Sequence, residues 1–353
     1  MMIGELHSGR RARTSVLATR IVQAAIFMLL PCVGASMGKE EARMYDRNLQ
    51  HFSPEGRIYQ VQYAERAARR GSPVVALSNG RDALALCVER RRASALEDDF
   101  MISQEKVGEI QEGAYLGFAG LAADGRRLLD RTRLFAENYR LKHAELPVVK
   151  DMALFVGDLQ HHNTFVRAHR PYGVSCVLVG MSSNIIIPTI SPCKRASGPC
   201  IFATEPSGAV QEYRAVCVGE NAETITIRLE AHAADLPGMN VGQLARFAAR
   251  VLWDARAARA EAAGDGWERE EGKEGEGKVE LEVLLLTWEG VEERKEDGGR
   301  GAQGKGKVRT RRLFVKSIQD IEALGRLLHL RKKVVEGTQT EGMEEGGRTK
   351  KGL

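Results

Sequence analysis

Apolar residues recur along the chain with two spacings, one helical and one alternating, and the order of these stretches outlines a fold. After Gly56, Ile58, Val61, Ala64 and Ala68 recur at helical spacing with Tyr59 and Tyr63 beside them. Arg69, Arg70 and Gly71 then supply the cations and the terminator that a helix end favours. PVVAL at 73–77 and ALALCVE at 83–89 flank Asn79-Gly80-Arg81-Asp82, which reads as a β-hairpin, and AYLGFAGL at 114–121 reads as a third strand. Two long helices follow. In the first, Leu121, Leu128 and Phe135 repeat every seven residues and Tyr139 continues the face; in the second, Val149, Met152, Ala153, Val156 and Leu159 form a stripe. Arg170-Pro171-Tyr172-Gly173 stops that helix. Strands return at 174–180, 200–204 and 213–219, and helices at about 222–232 and from Val241. In the latter, Leu244, Phe247, Ala248, Val251, Leu252 and Ala255 share one face. VELEVLLLTW (279–288) and RRLFV (311–315) are two more strands. Ser317, with Asp320 three residues on, caps a last helix that turns Ile318, Ile321, Leu324 and Leu328 inward. Runs of strands separated by helix pairs predict an α+β fold with sheet packed on sheet and helices outside.

Three stretches interrupt this pattern. Residues 181–199 are rich in Ser and Pro, and 264–278 and 292–309 are Gly, Glu and Lys tracts that cannot bury a core. All fall between regular elements, so they read as insertions in surface loops of one domain spanning 44–336. Residues 337–353 read as a disordered tail on the same grounds. Residues 1–43 form an N-terminal extension. Arg10, Arg11 and Arg13 precede an apolar run from Ile21 to Leu30 and small residues around Gly34, the order of a secretory signal. The run is short of the roughly 20 apolar residues of a membrane span. The extension is therefore expected to be disordered or signal-like, or to lie ahead of a true start at Met37 or Met44.

An apolar share of 43% supports a buried core. The formal charge of +5 is small, and the 52 bases and 47 acids are interleaved, which argues against nucleic acid as a partner. The six cysteines show no C-x-x-C spacing and read as reduced thiols. His161, His162 and His169 cluster on the second long helix, but no Cys or acid completes a metal set, so they read as solvated surface histidines. Neither a cofactor nor a metal is expected. Arg331-Lys332-Lys333 reads as a solvated helix end.

The stretch before the first helix is more specific. It contains Tyr45-Asp46-Arg47, then Phe52-Ser53-Pro54-Glu55-Gly56-Arg57, then Gln60-Val61-Gln62-Tyr63-Ala64. This resembles the N-terminal signature of proteasome alpha-type subunits, with Gln62 where Glu is usual. The likeness continues through Gly71-Ser72, Ala119-Gly120-Leu121-Ala122-Ala123-Asp124, Arg170-Pro171-Tyr172-Gly173-Val174 and Glu205-Pro206-Ser207-Gly208, covering roughly Tyr45 to Leu330 apart from the insertions. Thr287-Trp288-Glu289-Gly290 looks most like the alpha subunit often numbered seventh in the eukaryotic ring.

The resemblance implies the four-layer αββα sandwich of N-terminal nucleophile hydrolases. It also implies a non-catalytic subunit of a heptameric outer ring, in the cytoplasm and nucleus, that controls entry of substrates for ubiquitin-dependent degradation. Other alpha-type subunits, beta-type subunits and the C-terminal tails of regulatory-particle ATPases and other activators are the implied partners, with no membrane among them. Tyr45, Asp46, Arg47, Pro54 and Tyr63 match the gate cluster. Lys106 and Gly71 match the pocket between subunits that receives activator tails; the other reading of Lys106 is a surface lysine paired with Glu105 or Glu109. Residue chemistry fits: Pro54 restricts a turn, the tyrosines offer flat amphipathic faces, and a lone ammonium can pair with a terminal carboxylate at any angle. Two other readings stand beside this one. Catalytic relatives use a Thr exposed by propeptide removal, and Ser72 sits near that place with Glu89 and Lys106 near the supporting acid and lysine. Ser72, however, follows a whole helix and precedes Pro73. An exported paralogue is motivated by residues 1–36 alone.

Overall fold

A computed structural model describes residues 51–91, 105–166, 169–182, 198–262, 279–289 and 307–324. The chain separates into two compact units, Met1–Gln62 and Tyr63–Leu353. Within the first, Ser53 to Gly56 form a tight turn: Gly56 N donates to Ser53 O at 2.8 Å and Arg57 N to Ser53 Oγ at 3.1 Å. Pro54 sits second in this turn, where its fixed φ is favoured, and Gly56 takes φ +73°. Helix α1 follows at Tyr59–Arg69.

The second unit is built on ten strands. These are β1 (Val74–Ser78), β2 (Ala83–Arg91), β3 (Val107–Gln111), β4 (Ala114–Gly120), β5 (Val174–Ser182), β6 (Gly198–Thr204), β7 (Val210–Tyr213), β8 (Ala215–Val218), β9 (Val279–Glu289) and β10 (Lys307–Val315). They make two five-stranded antiparallel sheets, ordered β10-β9-β2-β1-β8 and β3-β4-β5-β6-β7. Between strands lie α2 (Ala122–His143), α3 (Val149–Phe165), α4 (Ala222–Ala231) and α5 (Val241–Ala262), and a last helix α6 occupies 318–324 of the described chain.

Strand alternation sets the layers, because successive side chains point to opposite faces. Val74, Ala76, Leu84 and Leu86 meet Tyr115, Val177, Val179 and Ile201 between the sheets. Val75, Leu77, Ala85 and Cys87 turn the other way, onto Ile225, Leu229, Leu244 and Leu252 of α4 and α5. Leu116, Phe118 and Leu178 pack on Leu128, Met152 and Val156 of α2 and α3. The result is the expected αββα sandwich. Each fully buried Leu or Phe contributes roughly 1.5–3 kcal/mol by leaving water.

Most expected elements are present, with instructive differences. The run at 213–219 is two strands: β7 pairs in one sheet and β8 in the other, with Arg214 between them. No Gly or Pro marks this crossing, so the apolar run read as continuous. Strand β3 was not expected; it is short, carries Gly108, and breaks register between Glu109 and Gln111. Strand β10 starts at Lys307, four residues before the expected RRLFV. The seven-residue repeat overextends α2, since Leu121 is its half-exposed N-cap and the buried face is Asp124, Gly125, Leu128, Leu129, Thr132 and Ala136. At the last helix the expected capping box forms, with Asp320 N donating to Ser317 Oγ at 3.2 Å and Ser317 N to Asp320 Oδ2 at 3.0 Å. Ile321 and Leu324 are buried there, but Ile318 is exposed, and Leu328 lies outside the described residues. Most of the three insertions, the N-terminal extension and the tail also lie outside them; Met181–Ser182, Gly198–Pro199 and 307–309 are strand.

Candidate functional site

Strand β2 ends on Glu89, Arg90 and Arg91, and alternation puts Glu89 and Arg91 on the face toward α5. There they meet Arg259 of α5 and Glu220, which follows β8. Glu89 is buried. Its Oε1 accepts from Arg91 Nε at 2.7 Å and from Arg259 Nη2 at 3.2 Å. Glu220 Oε2 accepts from Arg91 Nη2 and Arg259 Nη1, both at 2.7 Å. Two carboxylates and two guanidiniums thus close a ring that ties β2, α5 and the β8–α4 connection together. Burial pushes the Glu220 carboxyl up, but Arg91 and Arg259 outweigh it and hold the group below its ordinary range.

Lys106 enters beside this ring. Its carbonyl accepts from Phe118 N at 3.1 Å, which fixes the start of β3 against β4. The side chain is half-buried, and among the described residues its ammonium makes no ion pair. Burial foremost, then repulsion from Arg91, lower its pKa to about 8, against a weaker opposing pull from Glu89. The surface pairing expected with Glu105 or Glu109 does not form: Glu105 faces Arg312 at 3.4 Å.

Gly71 joins the same region through the backbone, its carbonyl accepting from Glu220 N at 2.8 Å. A Cβ on Gly71 would fall on the backbone of Ala119 and Gly120, so glycine is required there for packing within the chain. Ser72 is 6% exposed, and the adjoining Pro73 carbonyl accepts from Glu89 N at 3.2 Å. The structure therefore brings Gly71, Ser72, Glu89 and Lys106 to one end of the sandwich. It also shows Arg91, Glu220 and Arg259, which sequence reasoning missed. Their only local signal was the Val88-Glu89-Arg90-Arg91 end of a strand.

Of the gate residues, Tyr45, Asp46 and Arg47 lie outside the described residues. Pro54 is exposed in its turn. Tyr63 is 43% exposed on α1, with the Arg66 guanidinium 5.8 Å from its ring centre. The histidines do not share a helix: α3 ends at Phe165, so His169 lies beyond it, while His161 and His162 each contact the Phe165 ring. Among the described residues no helix is long and apolar enough to cross a membrane, and no group of three or more His, Cys, Asp or Glu could hold a metal ion. Cys87, Cys176 and Cys217 are buried free thiols, and burial pushes the Cys176 thiol up to about 12.

Comparison with known families agrees with this geometry. Residues 68–269 match the family model described as proteasome subunit, and residues 45–67 match the N-terminal signature of A-type proteasome subunits. The chain is 35% identical over 191 residues to proteasome subunit alpha of Methanocaldococcus jannaschii, covering 54% of this chain and 67% of the relative. It is 30% identical over 211 residues to proteasome subunit alpha type-7 of Trypanosoma brucei brucei, covering 60% and 78%. With proteasome subunit alpha type-7 of Caenorhabditis elegans it shares 33% over 186 residues, covering 53% and 68%. The chain belongs to the proteasome subunit family, on its alpha-type branch.

Proposed function

We propose that this chain is a non-catalytic building block of the outer ring of a proteasome core particle. It assembles with other alpha-type subunits and with beta-type subunits, which carry out peptide hydrolysis. Its Tyr45, Asp46, Arg47, Pro54 and Tyr63 contribute to the gate over the entry pore. Lys106, with Gly71, offers a pocket to the terminal carboxylate of activator tails, including those of regulatory ATPases. The particle serves ubiquitin-dependent degradation in the cytoplasm and nucleus. Among alpha subunits we favour type-7, the name borne by the trypanosome and nematode relatives.

One observation carries the non-catalytic reading. The residue in the nucleophile's place, Ser72, is buried inside a continuous chain between α1 and β1. A nucleophile of this class needs its own free amine as base. With residues 45–71 retained that nitrogen is a peptide nitrogen, and the acid that would support it, Glu89, is held by two arginines. The match to the alpha-type signature over 45–67 supports the same reading, since that segment precedes Ser72 and must be retained for it to act. The test is intact-mass analysis of the chain from a purified particle. A mass that retains residues 45–71 is expected; a chain beginning at Ser72 would overturn the proposal.

A further inference from the structure

We infer that Arg91 and Arg259 are positioning residues for the carboxylate pocket: by saturating Glu89 they deny Lys106 an internal counter-ion and keep its ammonium available to an incoming peptide C-terminus. The inference rests on the reading of Lys106 as the tail-binding lysine and adds the reason that lysine stays open.

The argument is one of competition for a single buried acid. Lys106 reaches this end of the sandwich through the backbone: its carbonyl accepts from Phe118 N of β4, and β4 ends at Gly120 against Gly71, whose own carbonyl accepts from Glu220 N of the ring. Glu89 is the ring carboxylate whose charge acts on it, and a half-buried ammonium beside a buried carboxylate would ordinarily pair with it. It does not, because Glu89 already accepts from Arg91 Nε at 2.7 Å and from Arg259 Nη2 at 3.2 Å and 3.4 Å. Guanidinium wins this contest over ammonium. Its planar fork lets each arginine reach Glu89 with one nitrogen and Glu220 with another, which a lysine cannot do. The ring of two glutamates and two arginines is neutral as a whole. Lys106 stands outside it, and among the described residues its ammonium makes no ion pair.

Three further acids among the described residues have cationic partners of their own. Glu105 and Glu282 both face Arg312, at 3.4 Å and 3.0 Å, and Glu280 faces Lys316 at 2.9 Å. Among the described residues, then, Lys106 is a half-buried cation that makes no ion pair. One ammonium suits a monoanion such as a terminal carboxylate better than a phosphoryl dianion. The depressed pKa of Lys106 has the same origin, burial without a partner.

The experiment uses assembled core particles bearing Lys106→Met, Arg259→Met, or Arg259→Met with Glu89→Gln. The probe is a fluorescent activator-tail peptide with a free C-terminal carboxylate, and its C-terminal amide is the control. Binding lost in Lys106→Met defines the signal from this pocket. Arg259→Met releases Glu89 to pair with Lys106 and should weaken that signal about tenfold. Adding Glu89→Gln removes the competing acid and should restore most of the binding. A merely structural role for Arg259 would not be rescued by deleting a second member of the ring. Unchanged binding in Lys106→Met overturns the pocket reading and this inference with it. A Lys106→Met loss beside wild-type binding in Arg259→Met, or the absence of rescue in the double variant, overturns this inference alone. If Arg259→Met does not assemble, Arg259→Lys, which keeps the charge but loses the fork, is held to the same outcomes.

Discussion

Arg170 grips Asp124 at two points, with Nη1 donating to Oδ2 at 2.6 Å and Nη2 to Oδ1 at 2.7 Å. Gly173 N donates to the same carboxylate at 3.1 Å. The pair ties the first turn of α2 to the segment leading into β5, and it joins two motifs that lie 46 residues apart. Asp124 is buried, whereas the Arg170 side chain is 62% exposed, so the two ends are not equivalent. Asp124→Asn loses the charge that both Arg170 and the Gly173 amide use and should lower stability by about 2 kcal/mol. Arg170→Ala removes a largely solvated partner and should cost about 1 kcal/mol or less. Urea unfolding of the full-length chain measures both; an Arg170 variant at least as damaged as the Asp124 variant would refute this ordering.

The β1–β2 hairpin depends on one side chain. Asn79 Oδ1 accepts from the amides of Arg81, Asp82 and Ala83 at 3.0, 3.1 and 2.9 Å, and Asn79 is itself buried. Asn79→Ala leaves these donors without that acceptor and should destabilise the chain by about 2 kcal/mol. Asn79→Asp keeps the acceptor but replaces the Nδ2 donor, which reaches Asp82 Oδ1 at 2.7 Å, by a second carboxylate oxygen, so it should also lose stability. A thermal midpoint for Asn79→Ala equal to wild type would show that water replaces the side chain at no cost.

These two sites show what a single sequence makes legible. The hairpin was readable because Asn79 and Gly80 act on their immediate neighbours, and Gly80 adopts φ +70°. The layers were readable because Val74 to Leu77 alternate between two apolar faces. The ionic ring was not, since Arg91 reaches Glu220 across 129 residues and Arg259 reaches Glu89 across 170. No local spacing encodes such pairs. Sequence offered Glu105 and Glu109 as partners for Lys106, and the fold instead places β2 and α5 beside it. The sheet change at Arg214 was hidden for a similar reason: β7 carries little apolar signal, only its Tyr213 falls in the expected run at 213–219, and tertiary pairing alone separates it from β8.

The gate reading leads to a prediction about access. Deleting the residues before Asn48 removes Tyr45, Asp46 and Arg47 and leaves the Ser53–Gly56 turn in place. In an assembled particle, basal hydrolysis of small peptides should rise on the order of twofold, because a plug limits entry rather than chemistry. The effect stays modest since six other subunits of a seven-membered ring supply tails. Reaction with an active-site-directed probe small enough to pass the gate should be unchanged in extent. A fully assembled particle with unaltered peptide turnover would count against a gating role for this tail.

Lys106 should make carboxylate binding depend on pH in a range where ordinary lysines do not. Its pKa is lowered from an ordinary 10.5 to about 8, by burial first and then by Arg91, while Glu89 pulls weakly the other way. A lowered lysine pKa means that the folded chain binds the Lys106 proton less tightly than the unfolded chain does. The cost of holding this charge is therefore present below about pH 8 and is relieved as pH rises from there toward 10.5. Lys106→Met should accordingly be more stable than wild type at pH 7, with the gap closing as pH rises through that window. Ligand binding runs the opposite way. The carboxylate needs the charged ammonium, so affinity for the activator-tail peptide should be greatest below pH 8 and fall above it. Among the described residues, Arg91 and Glu89 are the charged groups that act on Lys106, and both are held in the ionic ring. Titrations from pH 6.5 to pH 9.5 on assembled particles, with Lys106→Met subtracted, give the profile. An affinity independent of pH across that span would mean that Lys106 keeps an ordinary lysine pKa in the particle and that a partner supplied by a neighbouring subunit already neutralises it.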